Sequence, residues 1–497
     1  MALPIPLPLA FIATLALVAI YLFRSYTRLS HIPGPFLASW TNLVRRGWVT
    51  TGKAHLIHTD LHRRYGKVVR AGPNSVFVSD PKAIPLIYRF SEPFQKSEFY
   101  DALMPYVHGK PIDDVFATRS EATHRAMKQP IAAIYSMSNL VSFEPYVQST
   151  IEYFFTRLDE LYVRTGETCD FALWLHLFAA DVMGEITFSK RLGFLETGGD
   201  MEGVMRENWA FFTGAAPITQ MPWLDYLHKR NPLLPSSAKP NPVMAFGLAR
   251  IQERLQLSEK HPDRVNGRDF LARFIEARER NPKLGDDVIA TWANSNIQAG
   301  SDTTAILLNA LFYHLLKNPP SLHKLVAEID AAAANSTLSP LTTWKESRAL
   351  PYLDACVKEA ARLHPPISLP LERVVPRQGM EVSGVHIPGG TRIAMNPWVV
   401  HRDPEVFGRD AEEWRPERWL DENEGKVLYN SLLTFGGGHR SCLGKNISYL
   451  EVYKLVPSVL QRYEIELADP NAEWHVENRW FAMPSRFYVK LKAREGI

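Results

Sequence analysis

The chain has 497 residues, 46% hydrophobic and 22% charged, a composition that excludes a disordered polymer and suits a large enzyme domain. Its 56 Lys and Arg nearly balance 53 Asp and Glu, for a net charge of +3, which gives no electrostatic reason to propose a nucleic-acid partner. The three cysteines, Cys169, Cys356 and Cys442, have no CxxC spacing, so they exclude a disulfide framework and a paired-cysteine zinc site, and they place the body in a reducing compartment.

No side chain from Met1 to Phe23 is charged, and Arg24, Arg28, Arg45 and Arg46 follow. Roughly 20 apolar helical residues span hydrocarbon; Pro4, Pro6 and Pro8 shorten the clean helix, which suits a thin bilayer such as the endoplasmic reticulum. A cleaved signal peptide opens with basic residues, whereas here they come afterwards. Residues 1–30 therefore read as an uncleaved single-pass anchor with a basic flank, and residues 31–497 as a body facing the cytosol. "HIPGPF", from His31 to Phe36, is a stiff joint at the start of that body.

Further along, "HLIHTDLHRRYG" predicts a helix stopped by Gly66. "KVVRAG" and "NSVFVSD" predict two strands around the Gly72-Pro73 turn. From about Pro81 to Leu371 the pattern is mainly helical, except for a proline-rich stretch from Ala216 to Pro242 that reads as a loop. One long helix is expected from about Asp287 to Asn318, with Asp286 or Asp287 at its start and Pro319 at its end. Its middle, Ala299-Gly300-Ser301-Asp302-Thr303-Thr304, gathers weak helix formers beside an acid and predicts a local distortion. Met380 to Met395 looks like a hairpin and "SRFYVKLKA" like a strand. The expected fold class is mainly α with small peripheral β-sheets.

The cysteine text is "LLTFGGGHRSCLGKNIS". A core cysteine has no need of Gly436, Gly437 and Gly438 just before it. Glycines let a backbone approach a large flat ligand, and Arg440 offers a permanent cation for a carboxylate. Gly444 precedes an apolar helical run, so the sulfur of Cys442 falls near a helix N-terminus, which favours the thiolate. One thiolate cannot hold zinc alone, but it can be the axial ligand of a haem.

Phe435, Gly438, Arg440, Cys442 and Gly444 match FxxGxRxCxG, and on these residues the chain resembles the cytochrome P-450 family of haem-thiolate monooxygenases. "IPGPFLASW" and "YSMSNL" are similar to the microsomal fungal branch, in particular the pisatin-demethylase-like group. The resemblance implies haem b with Cys442 as metal ligand and Phe435, Gly438, Arg440 and Gly444 around it. It implies an ExxR–arginine core of Glu359, Arg362 and Arg418, with Trp419 where many members carry phenylalanine. It makes Asp302 and Thr303 the catalytic acid and alcohol, with Gly300 leaving room for dioxygen. Arg373, His124 and Lys128 join Arg440 as partners of the haem propionates. Met104, Asn296, Ala299, Ile367, Leu369 and Phe481 would surround a lipophilic substrate.

The implied reaction takes O2 and electrons from NADPH through a separate flavin-containing reductase, with cytochrome b5 as a second donor, because this chain has no flavin or nicotinamide motif. The reductase would dock on the cysteine side, where Lys445 and the Lys128 helix offer positive charge. Fungal secondary metabolism at the endoplasmic reticulum membrane is the implied setting. Two alternatives keep the haem: an isomerase or dehydratase of an oxygenated lipid, and a non-catalytic haem sensor. Isomerase-type relatives tend to lose the acid–threonine pair, which this chain keeps at Asp302-Thr303.

Overall fold

A 31-residue helix, Asp287–Lys317, runs through the protein. Its second half, Ala305 to Leu311, is buried all round, as an apolar helix in a core must be. Pro319 ends it and opens the next helix, Pro319–Ala334, where a missing N–H costs nothing. The computed structural model describes residues 23–494 apart from 105, 108–109, 230–241, 266 and 286, together with 13, 16, 19 and 20. The expected anchor and the Asp286 cap thus lie largely outside the described residues. Among the described residues the helix Phe171–Phe188 alone is long and apolar enough to cross a membrane, and 83% of that stretch is buried, so it belongs to the core.

Phe171–Phe188 packs along the central helix, and both share one apolar core with Glu144–Leu158 and with the helix after the cysteine, Lys445–Arg462. Its start is capped by Asp170, whose carboxylate accepts from Leu173 N at 3.2 Å. A second core joins the sheets to the first helices and to Phe481. The predicted helix before Gly66 is Ala54–Tyr65, and the predicted strands are Val68–Gly72 and Ser75–Val78, paired antiparallel. Arg392–Ala394 adds to the second strand in parallel, and Arg373–Val374 closes this four-stranded sheet. The architecture is mainly α with small sheets at its edges, as expected.

Two expectations need correction. The Ala216–Pro242 stretch is not all loop: Val204–Thr219 continues through Pro217, and Pro222–Lys229 forms a further helix. Pro222 sits where a helix tolerates proline, and Trp223, Leu224 and Leu227 recur at helical spacing. Residues 230–241 lie outside the described residues. The Met380–Met395 hairpin ends early: Met380–Val382 pairs with Val385–Ile387, and Arg392–Ala394 leaves for the larger sheet. The central helix runs on through Gly300, and Ser301 and Thr303 donate back to the carbonyls of Ile297 and Ala299, both at 2.7 Å.

The ExxR pair lies on the helix Pro351–Leu363. Glu359 and Arg362 are both fully buried and form a two-pronged bond, Nε and Nη2 each 2.8 Å from a carboxylate oxygen. Arg418 Nε, Trp419 Nε1 and Arg415 N add three more donors at 3.0, 2.8 and 2.9 Å. Burial pushes the Glu359 carboxyl up, but the bond and charge of Arg362, helped by Arg418, outweigh it and hold it below its ordinary value. Glu359→Ala leaves Arg362 without its counter-charge and Arg418 with Asp410 alone, at 3.4 Å, and we expect it to cost about 3–5 kcal/mol of stability. Denaturant unfolding of the purified protein measures this; an unmoved midpoint would refute the role.

Candidate active site

The entry of the cysteine loop is fixed from the ExxR helix. Thr434 Oγ1 donates to Ala361 O at 2.8 Å, and Leu433 N donates to His401 Nε2 at 2.7 Å. Gly436 and Gly438 then take φ of +66° and +63°, which glycine adopts without strain. At Gly438 a Cβ would fall 2.3 Å from Tyr88 O and 2.4 Å from Arg89 O, so no other residue fits. Gly444 is different: its φ is −82° and a Cβ there meets no protein atom within 4 Å.

Cys442 lines a cavity of about 340 Å3 and is exposed to it. Its backbone N donates to Phe435 O at 2.8 Å. Burial holds the thiol above its ordinary value, and the backbone N–H groups of Gly444 and Lys445 and the charges of Lys445 and Lys128 offset part of that rise. These two N–H groups open the 18-residue helix Lys445–Arg462, so the sulfur sits where the sequence reading placed it.

The expected propionate partners line the same cavity. The Arg440 side chain is 3% exposed, and its Nε and Nη2 donate to Glu121 Oε1 at 3.0 and 2.8 Å. Its third nitrogen, Nη1, is buried without a partner, and so is Nδ1 of His124. Burial, then the charges of Arg440 and Lys128, press His124 down to about 3, so it offers a neutral ring. Lys128 donates to His439 O at 2.9 Å and so also braces the loop. Arg373 bonds Glu372 O at 2.8 Å and lies over the Tyr88 ring. An accessible thiol, two unsatisfied buried nitrogens and three cations facing one cavity fit a flat dianionic metal macrocycle. Haem is a group of that kind; Cys442 would hold its iron, with Phe435 in the wall beside it.

The central helix forms the opposite wall. Within its buried run, Ser295, Gln298, Ala299, Gly300 and Thr303 stay accessible because they face the cavity. Thr303 lies there as expected. Asp302 does not: Oδ1 is 2.6 Å from His176 Nε2, and Oδ2 accepts from Asn208 Nδ2 at 2.7 Å. Helical spacing turns it toward Phe171–Phe188 and Val204–Thr219 rather than toward the cavity. Gly300 also has a reason beyond room for a ligand: a Cβ would lie 2.5 Å from Met183 Sδ of the packed helix.

Of the expected substrate residues, Asn296, Ala299, Ile367 and Phe481 line the cavity. The oxygen of Asn296 is already taken by Tyr135 OH at 2.6 Å. Leu369 is fully buried in the core, and Met104 lines a separate cleft with Arg119 and Tyr226, its neighbour Leu103 taking the cavity position. Sequence reasoning missed Phe211, Phe212 and Trp480, which also line the cavity. Phe212 meets Phe481 edge to face at 4.7 Å. Trp480 sits at a hairpin tip with φ +95°, costing about 1–3 kcal/mol, while Phe99, Tyr100 and Phe116 pack round its indole. No local signal marks a bulky residue for that conformation.

The family model for cytochrome P-450 matches residues 32–491. The chain is 76% identical over 484 residues to cytochrome P-450 monooxygenase cicH of Emericella nidulans, covering 97% of each chain. It is 51% identical to a cytochrome P-450 monooxygenase of Aspergillus terreus, covering 90% of this chain and 93% of that one. It is 43% identical to cytochrome P-450 monooxygenase AFLA_114810 of Aspergillus flavus, covering 96% and 95%. The chain belongs to the cytochrome P-450 family, as a haem-thiolate monooxygenase.

Proposed function

We propose that this monooxygenase inserts one atom of O2 into a C–H bond or double bond of a neutral lipophilic small molecule of fungal secondary metabolism. Its electrons come from NADPH through a separate flavin reductase, with cytochrome b5 as an additional donor, and residues 1–30 hold it on the endoplasmic reticulum membrane. The observation that carries the reading is the presentation of Cys442: an accessible sulfur at a helix N-terminus, across one cavity from the Thr303 hydroxyl. When bound, haem ligated by that thiolate supplies O2 activation, one oxygen going to the substrate and the other, with two electrons and two protons, to water.

The chain's own residues do the rest. Two backbone N–H groups and Lys445 steady the negative charge on sulfur. Arg440, Arg373, Lys128 and the His124 ring supply donors for the cofactor's carboxylates. Phe211, Phe212 and Phe481 give the far end an apolar surface that excludes water and carries no charge, which favours a neutral substrate. Thr303 holds its proton on Ala299 O at 2.7 Å and can turn it into the cavity. To back that site, Asp302 has to leave both His176 and Asn208. The uncharged Met1–Phe23 followed by Arg24 and Arg28 supports the membrane reading, and Lys445 and the Lys128 helix support reductase docking on the cysteine side.

Cys442→Ser abolishes the thiolate-type Soret band of the reduced CO complex. With a reductase supplied, wild type consumes NADPH in response to an extract of a strain lacking this enzyme, and the variant does not; consumption indifferent to that extract would remove the secondary-metabolite reading. Thr303→Ala keeps the haem but diverts reducing equivalents to peroxide, roughly 10-fold or more over product. Asn208→Leu, which frees one oxygen of Asp302, changes the same peroxide-to-product ratio while leaving substrate affinity within about twofold; an unchanged ratio rejects the link. Carbonate washing leaves the full chain in the membrane pellet and releases a chain starting at His31; release of both would end the anchor assignment.

A further inference from the structure

Lys96 is a cation that neither the sequence motifs nor the oxygen chemistry uses. It is 3% exposed and lines the cavity beside Arg373 and Arg440. Its Nζ lies between two rings, 4.0 Å from the centre of Tyr100 and 4.2 Å from that of Phe116, and donates to Phe116 O. Rings and a carbonyl are weak compensation for a buried ammonium.

The nearby acids are committed elsewhere. Asp114 Oδ1 accepts from the backbone N of Phe116 and of Ala117, both at 2.7 Å. Glu121 holds Arg440. Among the described residues no carboxylate forms an ion pair with Lys96. Burial, and then the charges of Arg373 and Arg440, drive the lysine far below its ordinary value.

The backbone makes this crowding deliberate. Lys96 and Arg373 face each other in an antiparallel β-bridge, and Val374 N donates to Gln95 O at 2.8 Å alongside. Residues directly opposite in such a pair project to the same side, and like charges there destabilise the pair. Lys96 and Arg373 carry charge together, with Arg440 close by, only around an anion. Their shared cavity holds the cysteine sulfur, so the anion belongs to the group bound at that sulfur.

We propose that Lys96 and Arg373 form a cross-strand clamp for a propionate of the haem, with Lys96 as a cofactor-binding residue. Arg440 has one free nitrogen left by Glu121, and Arg373 spends part of its guanidinium on Glu372 O. Lys96 adds the charge that these two cannot give in full. A carboxylate between lysine and arginine satisfies both and removes the repulsion across the bridge.

The test is transfer of haem from the purified holoprotein to excess apomyoglobin, followed at the Soret band, with wild type, Lys96→Met and Lys96→Arg. Each is loaded either with iron protoporphyrin IX or with its dimethyl ester, whose propionates carry no charge. Lys96→Met should release iron protoporphyrin IX about 10-fold faster than wild type, with Lys96→Arg within about 2-fold. With the diester, Lys96→Met and wild type should release at equal rates. Equal release of the charged porphyrin, or the same acceleration with both porphyrins, overturns the proposal. If Lys96→Met gives no folded protein, Lys96→Gln is read in the same assay with the same outcomes. No substrate, reductase or turnover enters the measurement, so its result stands apart from that of the proposed oxygenation.

Discussion

The carboxylate of Glu359 is the interaction on which the cysteine side of the molecule depends. It is buried completely and accepts five N–H bonds, from Arg362, Arg418, Trp419 and the backbone of Arg415. A carboxylate taken from water costs several kcal/mol unless its lone pairs are filled, and here they are filled. The two guanidiniums it holds do a second job. Arg362 donates to the carbonyls of His401, Ala411 and Glu413, and Arg418 to those of Phe407 and Asp410. This part of the chain has little regular secondary structure, so its buried carbonyls need such partners.

From that centre the order passes to the sulfur through few atoms. His401 is buried and neutral, burial pressing it down to about 3. It must accept from Leu433 N at Nε2, so Nδ1 carries the hydrogen and donates to Arg362 O at 3.0 Å. Leu433 and Thr434 are thereby tied to the ExxR helix at consecutive residues. Beyond them the glycines turn, and His439 N donates to Arg89 O at 2.9 Å. Loop geometry is set by tertiary bonds at both ends, which is how a segment with so little side chain can hold a thiol in one place.

The features legible in the sequence are those whose signal is local. Gly66 stops a helix, Gly72-Pro73 turns two strands, and Asp287 to Pro319 bounds the central helix within a residue, each by a rule acting over a few positions. The cysteine loop is legible for the same reason, since its glycines, arginine and thiol all fall within ten residues. The failures are of another kind. Leu369 and Met104 lie near cavity residues in sequence but face elsewhere, and chain order does not reveal which neighbour faces in. Lys96 and Arg373 are 277 positions apart, and only strand pairing makes them a pair. Trp480 takes a conformation that its residue type disfavours, because packing against three aromatic rings outweighs the strain.

Asp302 shows what such a tertiary contact does to the placement of an acid. The acid follows the pattern of the oxygen helix in sequence, yet its side chain joins three helices outside the cavity wall: its own, Phe171–Phe188 through His176, and Val204–Thr219 through Asn208. Asn208 lies three and four residues before Phe211 and Phe212, so all three share one face of their helix. Phe211 and Phe212 line the cavity onto which Cys442 opens. A movement of that helix at its aromatic end is therefore a movement of the amide that holds the acid. Asp302 and the helix covering the cavity are joined by one hydrogen bond of 2.7 Å and one turn of helix, while the 2.6 Å bond to His176 ties the same carboxylate to Phe171–Phe188.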